Sequence, residues 1–415
     1  MRASINFYKE ANFKETPIGK IPKDWGLKEL KNIAKVVSGF AFPIELQGKN
    51  KGKYPFVKVG DLNNFYKYVI SADNYVDDED IEKLRGRPFP KGTIIFPKIG
   101  MAMRLNRYRI LGTDALFDNN VAGLIPNRID IEFLYYYLNG KVDLIKLAGT
   151  TTVPSITKSR LESIRIPFPP LSEQQKIVEV LSCVDLAIQK VNEAIARVER
   201  LKKGLMQQLL TKGIGHKEFK ETPIGKIPED WKVVKLGNVI THVKGKKPKE
   251  MTEEYREGHL PYLSTEYLRN NKVTNFVNPS QDVILVNNGD LILLWDGSNA
   301  GEFFWGKQGV LSSTMVKIKQ KERKYNQKFL FYLLKTKENF LKGQTKGTGI
   351  PHVDKVVLNN ITVPCPPFVE QQKIAKILSS VDNILQLKRK RREKLVRMKR
   401  RLMDLLLTGK VRVSV

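Results

Sequence analysis

The chain has 415 residues and carries 72 Lys and Arg against 43 Asp and Glu, so its formal net charge is +29. Apolar residues make up 41% of the chain, which is enough for packed cores and excludes full disorder. No run of about 18 apolar residues occurs, and residues 1–6 lack an apolar signal core, so we expect neither a membrane span nor secretion. These features predict a cytoplasmic protein with an anionic partner, and nucleic acid is the first candidate.

The chain contains an internal duplication. FKETPIGKIPKDW at 13–25 returns as FKETPIGKIPEDW at 219–231, with twelve of the thirteen positions identical. Two further segments are repeated at an offset of 197 residues: PPLSEQQKI (169–177) as PPFVEQQKI (366–374), and LMQQLLT (205–211) as LMDLLLT (402–408). Each half therefore consists of a divergent region followed by a retained one.

The divergent regions predict mixed α/β domains that share a skeleton. KGTIIFPKIG (91–100) aligns with NGDLILLWDG (288–297), and each predicts a Gly-led turn into a short buried strand. IEFLYYYL (131–138) and QKFLFYLL (327–334) both predict an amphipathic helix. The remaining segments are short β-rich runs broken by Gly, Pro and Asn, so we expect an α+β fold with one such domain in each half.

The retained regions predict two long helices. No proline occurs between Glu173 and Thr211, and a helix of about 38 residues would span ~57 Å at ~1.5 Å per residue. Apolar residues recur with the spacing of a coiled-coil seam. We predict that these residues pair the helices: Ile177, Leu181, Val184, Ile188 and Val191 in the first, and Ile374, Leu378, Val381 and Leu385 in the second.

The ends of these helices also carry sequence signals. Ser172 with Gln175 predicts a capping box at the start of the first helix, and Gly213 predicts its end. Val369 replaces the serine in the second copy. We expect the helices to form an antiparallel coiled coil with pseudo-twofold symmetry and the domains to lie at its opposite ends. The corresponding division of the chain is 1–168 and 214–365 for the domains, and 169–213 and 366–415 for the helices.

This organisation resembles the specificity subunit of type I restriction-modification systems. The resemblance covers essentially the whole chain. It rests on the duplication, on a W-x(4)-L opening (Trp25 with Leu30, Trp231 with Leu236), and on the P-P-x-x-E-Q-Q-K-I start of a long helix that closes with L-M-x-x-L-L-T. Both helix motifs occur twice at matching spacing, which makes them specific.

The resemblance implies a non-catalytic reader of double-stranded DNA. Its two target-recognition domains would each read one half of a gapped sequence. Its helices would act as a spacer and as the docking surface for two methyltransferase subunits, with motor-endonuclease subunits added for cleavage. The repeat pattern alone fits this logic, because readers of different half-sites diverge whereas a geometric spacer does not have to.

The sequence offers little for catalysis. No Gly-x-Gly-x-x-Gly or P-loop is present, and Cys365-Pro366-Pro367-Phe368 has a cysteine where a methyltransferase base clamp carries Asn or Asp. We expect no catalytic residue, no cofactor and no metal. The four histidines are scattered without zinc-ligand spacing: His216, His242, His259 and His352. Both cysteines, Cys183 and Cys365, are expected to be packing residues.

A basic block distinguishes the second helix. Residues 388–401 contain ten cations and one anion, a net charge of +9, whereas the equivalent stretch 191–204 is only +2. This block is either a solvated helix face or a contact surface for phosphate or for an acidic partner. The remaining charge is spread over the chain, so the prediction of DNA binding does not depend on the block.

Base-reading residues are expected on loops beside rigid strands. In the first domain the candidates are Lys98, Arg104, Arg107, Arg109, Asn119 and Asn120. In the second domain they are Lys244, Lys246, Lys247, Trp295, Ser298, Asn299, Lys307, Ser312 and Ser313. The loops 149–155 and 347–352 occupy the same place in each half and suit backbone contacts through small polar groups.

Two alternatives stay open at this point. The chain could be a coiled-coil scaffold that binds DNA, RNA or proteins without base specificity, and a flat response to sequence in competition binding would favour that. A standalone DNA methyltransferase or nuclease is the other alternative, and binding of S-adenosylmethionine by the isolated chain would favour the methyltransferase.

Overall fold

The structure is a computed structural model that describes residues 6–149, 153–347 and 349–414. The chain divides into two compact units. The first unit runs to Asn192 and resumes at Arg391, and the second unit is Glu193–Lys390. Each unit therefore contains one divergent region and part of each long helix. Among the described residues, no helix combines the length and the apolar content that crossing a bilayer requires.

The secondary structure alternates short strands with short helices, apart from the two long helices. The described helices are α1 (Asp78–Lys83), α2 (Ile131–Lys141), α3 (Leu144–Leu147), α4 (Lys158–Glu162), α5 (Leu171–Leu209), α6 (Leu236–Val239), α7 (Thr265–Asn270), α8 (Gln327–Lys335), α9 (Glu338–Gly343), α10 (Lys355–Asn360) and α11 (Phe368–Leu406). The strands of the first half are β1 (Phe7–Lys9), β2 (Phe13–Lys14), β3 (Ile21–Pro22), β4 (Gly26–Glu29), β5 (Ala34–Ser38), β6 (Tyr54–Val57), β7 (Tyr68–Val69), β8 (Asn74–Val76), β9 (Ile94–Pro97), β10 (Arg109–Leu111), β11 (Leu116–Phe117), β12 (Val121–Pro126) and β13 (Arg165–Phe168). Those of the second half are β14 (Phe219–Lys220), β15 (Ile227–Pro228), β16 (Lys232–Lys235), β17 (Ile240–Lys244), β18 (Leu260–Leu263), β19 (Phe276–Val277), β20 (Leu285–Val286), β21 (Leu291–Leu294), β22 (Phe303–Trp305), β23 (Gly309–Leu311), β24 (Met315–Gln320), β25 (Thr362–Cys365) and β26 (Val411–Val413).

The two domains are built on the same sheet plan. The main sheet of the first has the order β5-β12-β9-β10-β7, and that of the second has the order β17-β24-β21-β22. A second sheet contains the parallel pair β6-β11 in the first domain and the parallel pair β18-β23 in the second. The strand β7 has no counterpart in the second main sheet. The expectation of two mixed α/β domains, each followed by a long helix, is thus confirmed.

The predicted buried strands occur where the aligned segments place them. Strands β9 and β21 are buried along their whole length. Gly92 and Gly289 precede them with φ values of +92° and +93°, a conformation that side-chain-bearing residues rarely adopt. Helices α2 and α8 also form as predicted. However, α2 is not amphipathic, because every residue from Phe133 to Leu138 is buried in the core that the first domain shares with α5 and α11.

The predicted capping box of Ser172 and Gln175 is wrong. Helix α5 begins at Leu171, and Ser172 lies exposed in its first turn. The carbonyl of Pro170 already accepts the first helical hydrogen bonds, from Glu173 and Gln174. The helix therefore starts before Ser172 can cap it, and α11 starts at the equivalent residue, Phe368, after its own proline pair. Gly213 has a φ of +65° shortly after α5, which suits the predicted stop.

Within the first unit the two long helices run antiparallel. Asp185 of α5 pairs with Lys399 of α11 at 2.7 Å. One heptad further along α5, Asn192 accepts a hydrogen bond from Arg392 at 2.7 Å. Residue numbers thus rise along one helix as they fall along the other.

The second unit shows the same antiparallel arrangement. Glu199 of α5 pairs with Arg389 of α11 at 2.7 Å, and Lys202 pairs with Asp382 at 2.6 Å. Of the residues predicted to pair the helices, Val191 is half-buried, and the others are buried: Ile177, Leu181, Val184, Ile188, Ile374, Leu378, Val381 and Leu385. Antiparallel pairing of the helices is therefore confirmed inside each unit.

A buried carboxylate joins the start of α5 to the first domain. Glu173 is 1% exposed and accepts a hydrogen bond from Trp25 Nε1 at 3.0 Å. Arg412 of β26 donates to both of its oxygens, at 2.9 and 2.7 Å, and also pairs with Glu10 and Asp24. These acceptors, Glu173 above all, raise the pKa of Arg412. The repeated tryptophan and the repeated glutamate of the sequence therefore bind each other.

The second unit repeats this junction with one replacement. Glu370 of α11 accepts from Trp231 Nε1 at 2.9 Å and from the backbone N–H of Ile214 at 2.9 Å. His216 Nε2 lies 2.8 Å from the same carboxylate, and Asp230 is 3.5 Å from its other ring nitrogen. A histidine thus stands where the first unit has an arginine.

The glutamine after each glutamate fixes the next element of the domain. Gln174 accepts a hydrogen bond from the backbone N–H of Asp130 at 2.9 Å, and Gln371 accepts one from that of Asn326 at 2.8 Å. Asp130 and Asn326 are the N-caps of α2 and α8. Each glutamine also donates to the proline carbonyl at its own helix start. The E-Q-Q motif therefore orients each domain on its long helix.

We predict that Arg412→Ala loosens the junction of the first unit. Removing the guanidinium leaves Glu173 and Glu10 without their shared cation, which costs about 3 kcal/mol when the partner carboxylates are buried. Hydrogen exchange in β1 and β26 should accelerate by about a hundredfold, as measured by peptide mass spectrometry of the full chain. Arg400→Ala, on the exposed face of α11, should leave it unchanged, and equal effects of the two variants would contradict the assignment.

Candidate nucleic-acid interface

The ends of three neighbouring strands meet a returning loop at one end of the first main sheet. We call this surface the first loop edge. It comprises Ser38–Gly39 at the end of β5, Lys98–Gly100 after β9, Asp118–Asn120 before β12, and the returning loop Pro154–Ile156. Its backbone is tied together by three hydrogen bonds: Lys98 N to Asn120 O at 2.9 Å, Ile156 N to Lys98 O at 3.0 Å, and Gly100 N to Pro154 O at 2.8 Å. It thus presents loop side chains from a rigid support.

The second domain carries an equivalent surface. The second loop edge comprises Lys244–Gly245, Trp295–Gly297, Ser312–Thr314 and Pro351–Val353. Its backbone hydrogen bonds are the counterparts of those in the first: Trp295 N to Thr314 O at 2.8 Å, Val353 N to Trp295 O at 2.9 Å, and Gly297 N to Pro351 O at 2.8 Å. The scaffold is therefore the same in both domains.

A glycine is required at the same point of each loop edge. A Cβ on Gly39 would lie 2.1 Å from the carbonyl oxygen of Phe117, and one on Gly245 would lie 2.1 Å from that of Ser312. Neither position can carry a side chain without displacing the neighbouring backbone. The close approach holds the chain after β5 against the end of β11, and the chain after β17 against the segment between β23 and β24.

The side chains on this common scaffold differ. Lys98 occupies the position of Trp295, and Ser38 that of Lys244. In the first edge, Lys98 Nζ donates to Ser38 Oγ at 3.2 Å, and partial burial lowers the pKa of Lys98. In the second, Lys244 pairs with Asp296 at 2.8 Å. One edge thus offers a cation and amides, and the other offers an aromatic ring with paired charges.

His242 lies on β17 beside the second loop edge and was not predicted as a functional residue. Its ring stacks on Trp295 with 5.0 Å between the centroids and 22° between the planes. Burial, and secondarily Lys355, lower the pKa of His242. The four histidines show no zinc-ligand spacing, and that spacing was the only signal sought for them. Apolar and polar residues alternate in ITHVK (240–244), and this pattern predicts a strand that contains His242.

The structure brings together only some of the predicted base-reading residues. Lys98, Asn119 and Asn120 lie on the first loop edge, and Lys244, Trp295, Ser312 and Ser313 lie on the second. Ser298 and Asn299 are exposed in the turn that follows Gly297. Lys246 pairs with Asp282 at 2.6 Å, and Lys247 is exposed next to it. Ser312 is buried and accepts a hydrogen bond from Tyr262, so it supports the edge rather than facing outward.

The arginines between β9 and β10 do not act as one set. Arg104 is exposed in a 3-10 turn, but Arg109 is buried on β10, where it donates to the carbonyl of Tyr108. Arg107 is half-buried. Among the described residues, Arg107 Nη1 and Arg109 Nε are buried without a hydrogen-bond partner. Arg104 is thus the accessible member of the three.

Lys307 lies away from the second loop edge. It follows β22, whose Trp305 pairs with Leu291 at the opposite end of β21 from Trp295. Its ammonium donates to the carbonyls of Tyr267 and Leu268 and to Asn271 Oδ1, at the end of α7. Lys307 therefore holds a helix end.

The two small polar loops are only partly within the described chain. Residues 150–152 of the first loop and residue 348 of the second lie outside the described residues. In the described part, Ser155 forms a bridge to Ile99 and His352 forms the equivalent bridge to Asp296. Each loop thus packs on the strand end that carries Lys98 or Trp295.

Most of the basic block is exposed on α11. Arg389 and Arg392 contact α5 through Glu199 and Asn192. Lys399 lies between Asp185 and the rings of Tyr66 and Tyr136. The other cations of the block are exposed, except Lys388, which is half-buried. The block therefore presents a mostly exposed cationic face of α11.

One group of possible metal ligands occurs among the described residues. His216, Asp230 and Glu370 place a ligand atom each within 4.8 Å of one another. This grouping was not predicted, because Glu370 is distant in sequence from His216 and Asp230. The equivalent trio of the first unit is Arg412, Asp24 and Glu173, an ion-pair cluster. The arrangement is therefore explained as a structural junction.

Comparison with protein families gives a match to the family described as "Type I restriction modification DNA specificity domain". Two copies match, over residues 22–200 and 228–397. A similar curated protein is the putative type I restriction enzyme MjaX specificity subunit of Methanocaldococcus jannaschii, 33% identical over 99% of both chains. The MjaVIII specificity subunit of the same organism is 54% identical over 46% of this chain and 45% of its own length.

Solved structures show the same fold. The S subunit of a type I restriction-modification system from M. genitalium has a TM-score of 0.61 at 18% identity, over 94% of this chain and 98% of that one. A chain from work on complex assembly and conformational transition of the type I R-M system has a TM-score of 0.55 at 18% identity, over 94% and 99%.

We predict that the two loop edges act on separate parts of a DNA target. Lys98→Ala should weaken DNA binding by about 1–3 kcal/mol, and only through the contacts that the first domain makes. Trp295→Ala should weaken DNA binding only through the contacts that the second domain makes. Competition binding against duplexes mutated in one region at a time measures this. Lys83→Ala, on an exposed helix of the first domain, is the matched control. Loss of discrimination over the whole target in either variant would contradict the prediction.

Proposed function

This chain belongs to the type I restriction-modification DNA specificity family, and on that basis we propose that it reads a bipartite, gapped DNA target. Each domain reads one half-site through its loop edge. The two long helices set the spacing between the half-sites. The chain itself catalyses nothing, and it acts on cytoplasmic DNA inside a complex whose methyltransferase and motor-endonuclease subunits do the chemistry.

One observation carries this proposal: the two loop edges share their backbone hydrogen bonds but differ in their side chains. Lys98 stands at the position that Trp295 has in the second domain. The three backbone hydrogen bonds around each of these residues are equivalent. A scaffold that bound DNA without base specificity would have no reason to vary these positions while keeping their support. Different side chains on a shared backbone support are what two readers of different sequences require.

The helices suit a spacer and a docking surface. Each begins at a proline pair and is locked to its domain by the E-Q-Q motif, so the position of each reader follows from its helix. The domains of this proposal are residues 1–168 and 214–365, and its helices are residues 169–213 and 366–415. The exposed helix faces are available to two methyltransferase subunits.

Specificity should travel with each domain separately. Replacing residues 26–168 by the corresponding region of another such subunit should change one half-site and leave the other unchanged, because the second loop edge and both helix starts are untouched. Sequencing of methylated motifs in cells that carry the chimaera measures this. A change in both half-sites would count against one reader per domain, and an unchanged motif would count against reading by this region.

Binding to DNA should depend steeply on salt. Each phosphate contact releases counterions, so log affinity should fall with log salt at a slope of about −0.9 per contact. We expect weak binding by the isolated chain, with a slope well beyond −2 because the net charge is +29. Filter binding over a salt series measures the slope. A slope shallower than about −2 would mean that the positive charge is not directed at DNA.

A further inference from the structure

The second unit contains a groove beside Lys337. It has a volume of about 610 Å³ and lies between the last turns of α5 and the end of α8. Its floor is apolar, and its rim carries four lysines and one carboxylate, Glu199, which pairs with Arg389. The floor is formed by Met206, Leu210, Ile224, Ile227 and Leu333, and the rim lysines are Lys202, Lys203, Lys335 and Lys337.

In the first unit, Tyr137 and Lys141 line a smaller cavity of about 430 Å³, and the space between this region and α11 is filled by side chains. Gly140 follows the buried part of α2, and a Cβ there would lie 2.8 Å from Met403 of α11, so helix and domain are in direct contact. Lys141 pairs with Asp404 at 2.5 Å. Tyr137 adds an aromatic ring that is 6% exposed. Gly140 thus lets α11 approach closely, and the ion pair and the ring of Tyr137 fill the space between α2 and α11.

Each of these features is changed in the second copy. Thr336 stands at the position of Gly140, and Leu333 replaces the ring of Tyr137. Lys337 keeps the position of Lys141, but Gln207 stands where Asp404 would be. The lysine has therefore been retained while its carboxylate partner has been lost.

Lys337 is consequently a cation without an anion. Lys202 pairs with Asp382 and Lys335 with Glu338, both at 2.6 Å. Among the described residues, Lys337 has no carboxylate or hydrogen-bond acceptor for its ammonium, although it is half-buried. Burial alone lowers its pKa. A charge held partly out of water without a partner is unfavourable, and a bound anion would relieve it.

We propose that this Lys337 groove binds an acidic, amphipathic peptide segment of a partner protein, whose carboxylate pairs with Lys337 while apolar side chains cover the floor. The first unit supplies the chemical template, because there the carboxylate comes from a helix on which Asp404 is flanked by Met403 and Leu407. The floor disfavours nucleic acid, since it offers apolar side chains where a phosphate backbone needs donors. The volume suits a few side chains.

This proposal goes beyond DNA reading, which does not need the groove. In the first unit the equivalent lysine, Lys141, is already paired with Asp404, so the Lys337 groove would engage one partner segment per chain. Its failure and the failure of the proposed function are distinguishable, because the Lys337 groove and the second loop edge share no residue. Variants in the groove should leave DNA discrimination unchanged.

The test uses the full chain and a fluorescent peptide that has leucines along one helical face and glutamates beside them. Fluorescence anisotropy should show saturable binding. A scrambled peptide of the same composition should bind at least about tenfold more weakly, because it cannot present a carboxylate beside an apolar face.

Two substitutions in the groove should reduce this binding. Gln207→Asp restores the carboxylate that the first unit has at this position. The new carboxylate should pair with Lys337 and weaken peptide binding by about tenfold. Lys337→Met should weaken it similarly by removing the cation. Lys272→Met, an exposed lysine of the same unit, is the charge-matched control and should have no effect.

The outcomes that overturn the proposal are definite. Equal binding to the wild type, Gln207→Asp and Lys337→Met would mean that the peptide responds only to the net positive charge. Binding of dodecanoate without binding of the peptide would assign the groove to a small amphipathic anion. Displacement of the peptide by duplex DNA would assign it to nucleic acid.

Discussion

The position of each domain depends on a buried carboxylate in the first turn of a long helix. A buried carboxylate is stable only when several donors surround it, so Glu173 must collect them from distant parts of the chain. It does so from Trp25 and Arg412, and Glu370 does so from Trp231, Ile214 and His216. The opening motif, the helix start and the segment after the opposite helix therefore have to converge on one point in each unit.

The same network explains which parts of the sequence are repeated. The tryptophan and the glutamate recur because they bind each other, and Gln174 and Gln371 recur because each holds the cap of a core helix. Asp185 and Asp382 recur because each accepts from a core tyrosine and pairs with a lysine of the other long helix. None of these residues lies on a loop edge. The edges can therefore diverge without disturbing the junctions that position them.

Elements with local signals could be predicted from the sequence, whereas contacts between distant segments could not. The 39-residue length of both long helices, the turn-led strands β9 and β21 and the two core helices follow from periodicity and glycine placement. Contacts between distant segments set three other features: the burial of the Arg109 side chain, the capping of α7 by Lys307, and the contact of His216 with Glu370. The spacing of residues along the sequence does not encode such contacts. The loop edges were predicted as segments, because a strand end marks a loop, but not as assembled surfaces.

The two units share their backbone arrangement, but two ion pairs of the first unit are missing from the second. In the first unit the junction contains the permanent charge of Arg412, and Lys141 is neutralised by Asp404. In the second, His216 replaces the arginine, and Gln207 leaves Lys337 without its carboxylate. Side chains on strands and helices that bear no loop edge have thus changed in a way that base reading does not explain. A purely DNA-reading chain would gain nothing by leaving a half-buried lysine without a counter-ion beside the partly exposed Met206 and Ile224. The asymmetry is accounted for if the second unit carries a contact that the first does not.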